Sequence, residues 1–145
     1  MISVERKIEV RLPLAELVTY LEDFARTEQW DPGTVSCVRL DDGPLRTGAR
    51  WRNTSVFRGR TTELEYRLDV REPRRLVFVG ENKTVTAVDD LRFDDEGDRT
   101  QLSYKASLAF KGLAKLASPF LRTEFERLAD EVAARLPIAA AARRT

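Results

Sequence analysis

Three side chains stand out as candidates for chemistry: Glu124, Asp89 and Tyr104. Glu124 falls among Leu113, Leu116, Ala117, Phe120, Leu121, Leu128 and Val132, which recur at helical spacing. A carboxylate in such a stripe either points into a cavity or is a costly buried charge. Its neighbours one turn away are Phe120, Leu121, Arg127 and Leu128. Asp89 interrupts an alternating run of Val85, Ala87, Leu91 and Phe93, and Tyr104 sits within another of Leu102, Ala106, Leu108 and Phe110. Loss of solvent raises a carboxylate pKa towards neutrality, and a second carboxylate nearby raises it further. Glu124 with Asp89 is therefore a candidate polar anchor or general acid/base pair, with Tyr104 beside it. A structural reading stays open: Glu124 pairs with an arginine of the sheet or reaches out at the pocket mouth, and a bulge turns Asp89 to solvent.

Composition narrows the chemistry. The 145 residues include no histidine and a single cysteine, Cys37. Missing histidine removes the commonest general base, the Ser-His and Cys-His nucleophile pairs, and the commonest metal ligand. One cysteine allows no intramolecular disulfide and no zinc cluster. No metal and no cofactor are expected. The formal net charge is +1, with acidic and basic residues interspersed, which argues against nucleic acid as a partner. No run of 18 apolar residues is present to span a membrane, and the opening MISVERKIEV is too charged for a signal peptide. A cytoplasmic location is the expectation. The sequence does not specify an oligomeric state.

The elements that must position these residues follow from periodicity. Residues 2–11 alternate as a half-buried strand. Pro13 opens a helix carrying Leu14, Leu17, Val18 and Leu21, and a second short helix covers 24–29 before the turn Trp30-Asp31-Pro32-Gly33. Six strands then read as 34–40, 49–57, 62–70, 76–81, 84–93 and 100–110. Arg58-Gly59-Arg60 reads as a three-residue hairpin loop. A long helix over 112–136 follows, and 138–145 reads as a frayed tail. Short turns between strands imply an antiparallel sheet, and segregated helices imply an α+β fold.

In this order the chain resembles the START-like, helix-grip superfamily, the polyketide cyclase/dehydrase and lipid-transport group. The resemblance rests on Trp30-Asp31-Pro32 after the short helices, and on Gly43 followed by Gly48-Ala49-Arg50-Trp51. Glu72-Pro73-Arg74-Arg75-Leu76-Val77 and Gly97-Asp98-Arg99-Thr100-Gln101-Leu102 complete it. These are turn and packing signals, which specify architecture rather than a reaction. The resemblance implies one START-like domain over 1–137, with a seven-stranded antiparallel sheet wrapped on the C-terminal helix around a hydrophobic cavity.

Strand alternation puts Trp51, Asn53, Ser55 and Phe57 on one face, with Tyr66 and Tyr104 on the matching faces of their strands. Trp30, Trp51, Asn53, Tyr66 and Phe120 are the candidate ligand contacts, although core packing explains the aromatic ones equally simply. The expected function is binding of a small hydrophobic or aromatic ligand, lipid-like or polyketide-like. The alternatives are a cyclase or aromatase using a pocket carboxylate, and a protein-interaction or chaperone-like module.

Overall fold

The computed structural model describes residues 1–57, 59–112 and 121–143. Seven strands form one antiparallel sheet in the order β1-β7-β6-β5-β4-β3-β2. They are β1 (Ile2–Val10), β2 (Thr34–Arg39), β3 (Arg50–Phe57), β4 (Arg60–Glu72), β5 (Arg75–Glu81), β6 (Val85–Asp95) and β7 (Thr100–Phe110). Strands β2 to β7 are sequential neighbours. The first strand instead pairs with the last, Ile2 opposite Leu108 through Val10 opposite Thr100. The segment between β1 and β2 therefore crosses from one sheet edge to the other. It carries α1 (Leu14–Leu21), a 3-10 turn (Phe24–Arg26) and α2 (Thr27–Trp30).

Alternation determines what each strand buries. On β4, Leu64, Tyr66 and Leu68 face inward while Glu63, Glu65 and Arg67 face solvent. The outward face carries cross-strand pairs such as Arg52–Glu63, Arg50–Glu65 and Arg75–Asp90. The two exposed pairs, to Glu63 and Glu65, contribute about 0–1 kcal/mol each, so they solubilise the sheet more than they stabilise it. Phe57 pairs with Arg60, so Arg60 belongs to β4 and not to the hairpin loop in which the sequence places it. Gly59 adopts φ 76°, a left-handed conformation that glycine takes at little steric cost. A register shift between Leu68 and Val70 places a bulge in β4.

The concave face divides into two halves. At one end Trp51, Leu68, Leu76, Phe78, Leu91 and Leu102 pack with Leu17, Leu21 and Phe24 into a solid core. Phe24 seals it, with ring centroids 4.5 Å from both Tyr66 and Phe78. At the other end the sheet faces α3 (Leu121–Ala141) across open space. Helix α3 packs against β1 and α2. It continues past Pro137 to Ala141, which overlaps the segment expected to be a frayed tail. Proline removes one helical hydrogen bond, but Leu136 and Ala140, four apart on one face, are both fully buried and hold the last turn. Arg143 adds a contact to Glu16 of α1 at 2.7 Å. Residues 113–120, where the sequence predicts the start of this helix, lie outside the described residues.

Candidate functional site

Between α3 and the sheet lies a cavity of about 720 Å³. This is within the usual range for small-molecule sites, roughly 300–1,000 Å³. The sheet supplies the alternating inward residues of β3, β4, β6 and β7, including Asn53, Leu64, Tyr66, Ala87, Asp89 and Tyr104. Helix α3 supplies Leu121, Phe125, Leu128, Ala129 and Val132, which share one face at spacings of three and four. One end reaches the surface at Val56 and Arg60, both exposed. Towards the core the walls become aromatic, with Phe24, Trp30, Tyr66 and Tyr104.

Asp89 and Tyr104 meet there. The β6–β7 register sets Asp89 opposite Ala106 and Leu91 opposite Tyr104, so the two residues are diagonal neighbours on one face. The Tyr104 hydroxyl donates to Asp89 Oδ1 at 2.6 Å. No bulge interrupts β6 here: its pairings with β5 and β7 are continuous through Asp89. Asp89 is therefore held inward, and its accessible surface faces the cavity. Burial raises its pKa to about 7; the hydrogen bond from Tyr104 opposes the rise, and the charge of Asp31 adds to it. Burial and the adjacent Asp89 charge push the Tyr104 hydroxyl well above its ordinary value. Tyr66 is shifted the same way, chiefly by burial and then by Asp89.

Two residues that sequence reasoning left in turns or strands complete the polar set. Asp31, in the turn after α2, also lines the cavity. Its Oδ1 accepts from the Gly33 backbone N–H at 3.0 Å and its Oδ2 from the Thr34 hydroxyl at 2.9 Å. Burial nevertheless raises its pKa. The Trp-Asp-Pro-Gly composition read only as a turn, and nothing in it signalled an inward carboxylate. Arg6 reaches the cavity from β1 but is committed elsewhere: Nε meets Asp130 Oδ1 at 2.8 Å, Nη1 donates to the Glu5 carbonyl and Nη2 to the Glu126 carbonyl.

The remaining candidates separate. Asn53 is buried on the cavity wall, its Nδ2 donating to Thr27 Oγ1 at 3.3 Å and Thr34 Oγ1 at 3.2 Å. Trp30 lines the aromatic end edge-on to Tyr104, ring centroids 5.7 Å apart. Its indole N–H is buried with no acceptor among the described residues. Trp51 is not at the cavity. It is fully buried in the solid core, with its indole N–H donating to Asp23 Oδ1 at 3.3 Å. Glu124 does not line the cavity either. It sits on the flank of α3 and pairs with Arg127 at 3.5 Å. Phe125 takes the inward position, about 100° further round the helix. Phe120 lies outside the described residues.

Tyr66 owes its pose to Gly80, its partner across β4 and β5. A Cβ at Gly80 would lie 2.6 Å from Tyr66 Cε1 and Cζ, so the ring rests on bare backbone there. Cys37 is buried near Thr27 and Asn53, and burial raises its thiol pKa. That leaves it a small core residue with little thiolate character.

The arrangement can hold an apolar molecule and present it with one carboxyl near half-ionisation at neutral pH. Among the described residues, no group of three potential ligands is placed to hold a metal ion, and no helix is long and apolar enough to cross a membrane. Solved structures share this architecture at low sequence identity. A START superfamily protein from Mycobacterium smegmatis is 14% identical, with 96% of this chain and 97% of that chain covered and a TM-score of 0.78. The Zhui aromatase/cyclase from Streptomyces sp. R1128 is 17% identical, covering 95% and 90%, with a TM-score of 0.74. Major latex-like protein 151 from Panax ginseng is 8% identical, covering 94% and 95%, with a TM-score of 0.69. No curated protein matches this chain in sequence. The family model described as polyketide cyclase / dehydrase and lipid transport matches residues 1–137, which takes in every strand, the cavity and most of α3, and the chain belongs to that family.

Proposed function

We propose that this protein binds a small hydrophobic or aromatic molecule in the cavity between the sheet and α3, with Asp89 and Tyr104 orienting its polar end. The observation that carries this reading is the cavity: apolar over most of its wall, with the hydrogen-bonded Asp89–Tyr104 pair at its aromatic end. Burying roughly 250 Å² of apolar ligand surface would be worth on the order of 6 kcal/mol before association costs. The neutral fluorophore N-phenyl-1-naphthylamine should brighten on binding and be displaced by neutral aromatic competitors. Ala106→Trp should abolish the brightening while leaving the far-ultraviolet circular dichroism intact. Ala106 lines the cavity beside Asp89, and an indole there obstructs the part of it that Asp89 and Tyr104 face. Equal brightening in that variant would place the binding elsewhere.

A cyclase-type activity is the second reading, favoured by the Asp89 pKa of about 7. A carboxyl at that pKa exchanges protons with a substrate near neutral pH with little bias, as general acid/base catalysis requires. A short poly-β-keto surrogate should then turn over with a rate governed by one ionisation near neutrality. Asp89→Asn should lower that rate by about 10²-fold or more. A loss of less than a few-fold would rule Asp89 out as the proton carrier. A protein-interaction module would be favoured by a pocket filled by its own side chains; a cavity of about 720 Å³ gives that alternative no support.

A further inference from the structure

Resting on the ligand-binding reading above, we infer that the cavity selects ligands by charge: it takes an apolar body carrying a cationic amine at Asp89 and disfavours the matching carboxylate. Among the described residues, the groups at the aromatic end that are free to meet a ligand are carboxylate oxygen, hydroxyls and the neutral indole N–H of Trp30, and none is a cation. Asp89 Oδ1 is occupied by Tyr104, while Oδ2 has no partner among the described residues. Asp31 stands near enough to raise the Asp89 pKa, so a second negative charge already acts there.

The cations that a carboxylate ligand would need are turned away. Arg6 spends its guanidinium on Asp130 and on the Glu5 and Glu126 carbonyls. Arg60 is at the exposed rim, and Arg135 acts on Asp31. From α3 only apolar side chains line the cavity, and the cross-strand partners of Asp89 are Phe78 and Ala106. The titratable groups facing Asp89 are therefore Tyr104, Tyr66 and Asp31.

The surrounding walls suit a cation as well. Trp30, Tyr66, Tyr104 and Phe24 line this end, and aromatic faces attract ammonium groups, most strongly where water is excluded. An amine placed at Asp89 Oδ2 would form a charge-assisted hydrogen bond in a poorly solvated site, the setting in which such bonds count most. An incoming carboxylate would instead bring a third negative charge into it.

Three ligands of one shape provide the test: 4-phenylbutylamine, 4-phenylbutanol and 4-phenylbutanoate, each measured by displacement of N-phenyl-1-naphthylamine. The amine remains cationic throughout, since alkyl ammonium groups titrate near ~10.4. At about pH 8.5, with Asp89 ionised, the amine should bind more tightly than the alcohol by about tenfold or more, and the carboxylate most weakly. The amine-to-alcohol ratio should fall as the pH drops to about 5.5, because protonation removes the Asp89 charge. In Asp89→Asn the ratio should be small and flat with pH. In Glu124→Gln, altered outside the cavity, it should match the parent protein. Alcohol or carboxylate binding as tight as the amine at about pH 8.5 would overturn the inference, as would a ratio unchanged by Asp89→Asn. Binding of none of the three, with no fluorophore signal, would overturn the ligand-binding reading itself.

Discussion

Asp89→Asn should make the protein more stable at alkaline pH and leave it nearly unchanged in acid. In the folded state the Asp89 pKa is about 7, against an ordinary value of 3.8. Between those two values the folded protein binds one more proton than the unfolded chain. Stability therefore falls as the pH rises through that window, and the full penalty is present above the folded pKa. The difference between those two values corresponds to at most ~4 kcal/mol, and water in the cavity reduces it. Asparagine has no charge to desolvate, and its amide oxygen still accepts from Tyr104. We expect a gain of about 2 kcal/mol at about pH 8.5, or roughly 5 °C in Tm for a chain of this size. Below about pH 3.5, where Asp89 is protonated in both the folded and the unfolded chain, the two proteins should melt within a degree or so. Thermal melts across this range decide it. A variant less stable than the parent at alkaline pH would mean that the charged carboxylate is well solvated or paired. A positive result would show a carboxyl retained in the cavity at a cost to stability, as expected of a group kept for binding or catalysis.

Gly80→Ala should cost stability and reshape the cavity together. The added methyl would stand 2.6 Å from the Tyr66 ring, closer than any real contact allows. Gly80 has no positive φ, so the backbone accepts alanine, and the loss of unfolded-state freedom alone would favour the variant by about 0.4–1 kcal/mol. The collision outweighs that. Tyr66 must leave the sheet and swing into the cavity, at about 1–3 kcal/mol in overpacking. Chemical denaturation should show this loss, and the neutral fluorophore should bind several-fold more weakly. A double-mutant cycle isolates the cause: with Tyr66→Ala already present, Gly80→Ala should cost little, giving a coupling of about 1 kcal/mol or more. Additive losses would show that the methyl clashes with something other than the ring.

The architecture was legible because it rests on local periodicity. Alternation in β3, β4, β6 and β7 placed Asn53, Tyr66, Asp89 and Tyr104 on inward faces, and the register keeps them there. The same signal reached its limit at Trp51. It lies on the inward face, but that face is half solid core and half cavity, and a strand's alternation does not reveal which half a residue joins. Glu124 failed for a different reason. The apolar stripe of α3 is broad, and its centre is set by the packing of Phe125, Leu136 and Ala140 against the rest of the fold. A reading without Phe125 rotates the stripe until Glu124 appears to lie within it.

By itself the sequence determined the element order, the antiparallel sheet, the resemblance to the family and the exclusion of histidine chemistry, all properties carried by spacing and composition. The tertiary structure alone decided which carboxylates share the cavity. Asp31 and Asp89 are 58 positions apart, and the charge of one acts on the other because the turn after α2 and the middle of β6 line the same cavity. It also decided the pose of Tyr66, which requires bare backbone at Gly80 on the next strand. Charge coupling and close packing act through space between residues distant in sequence, and periodicity along one strand or helix records neither.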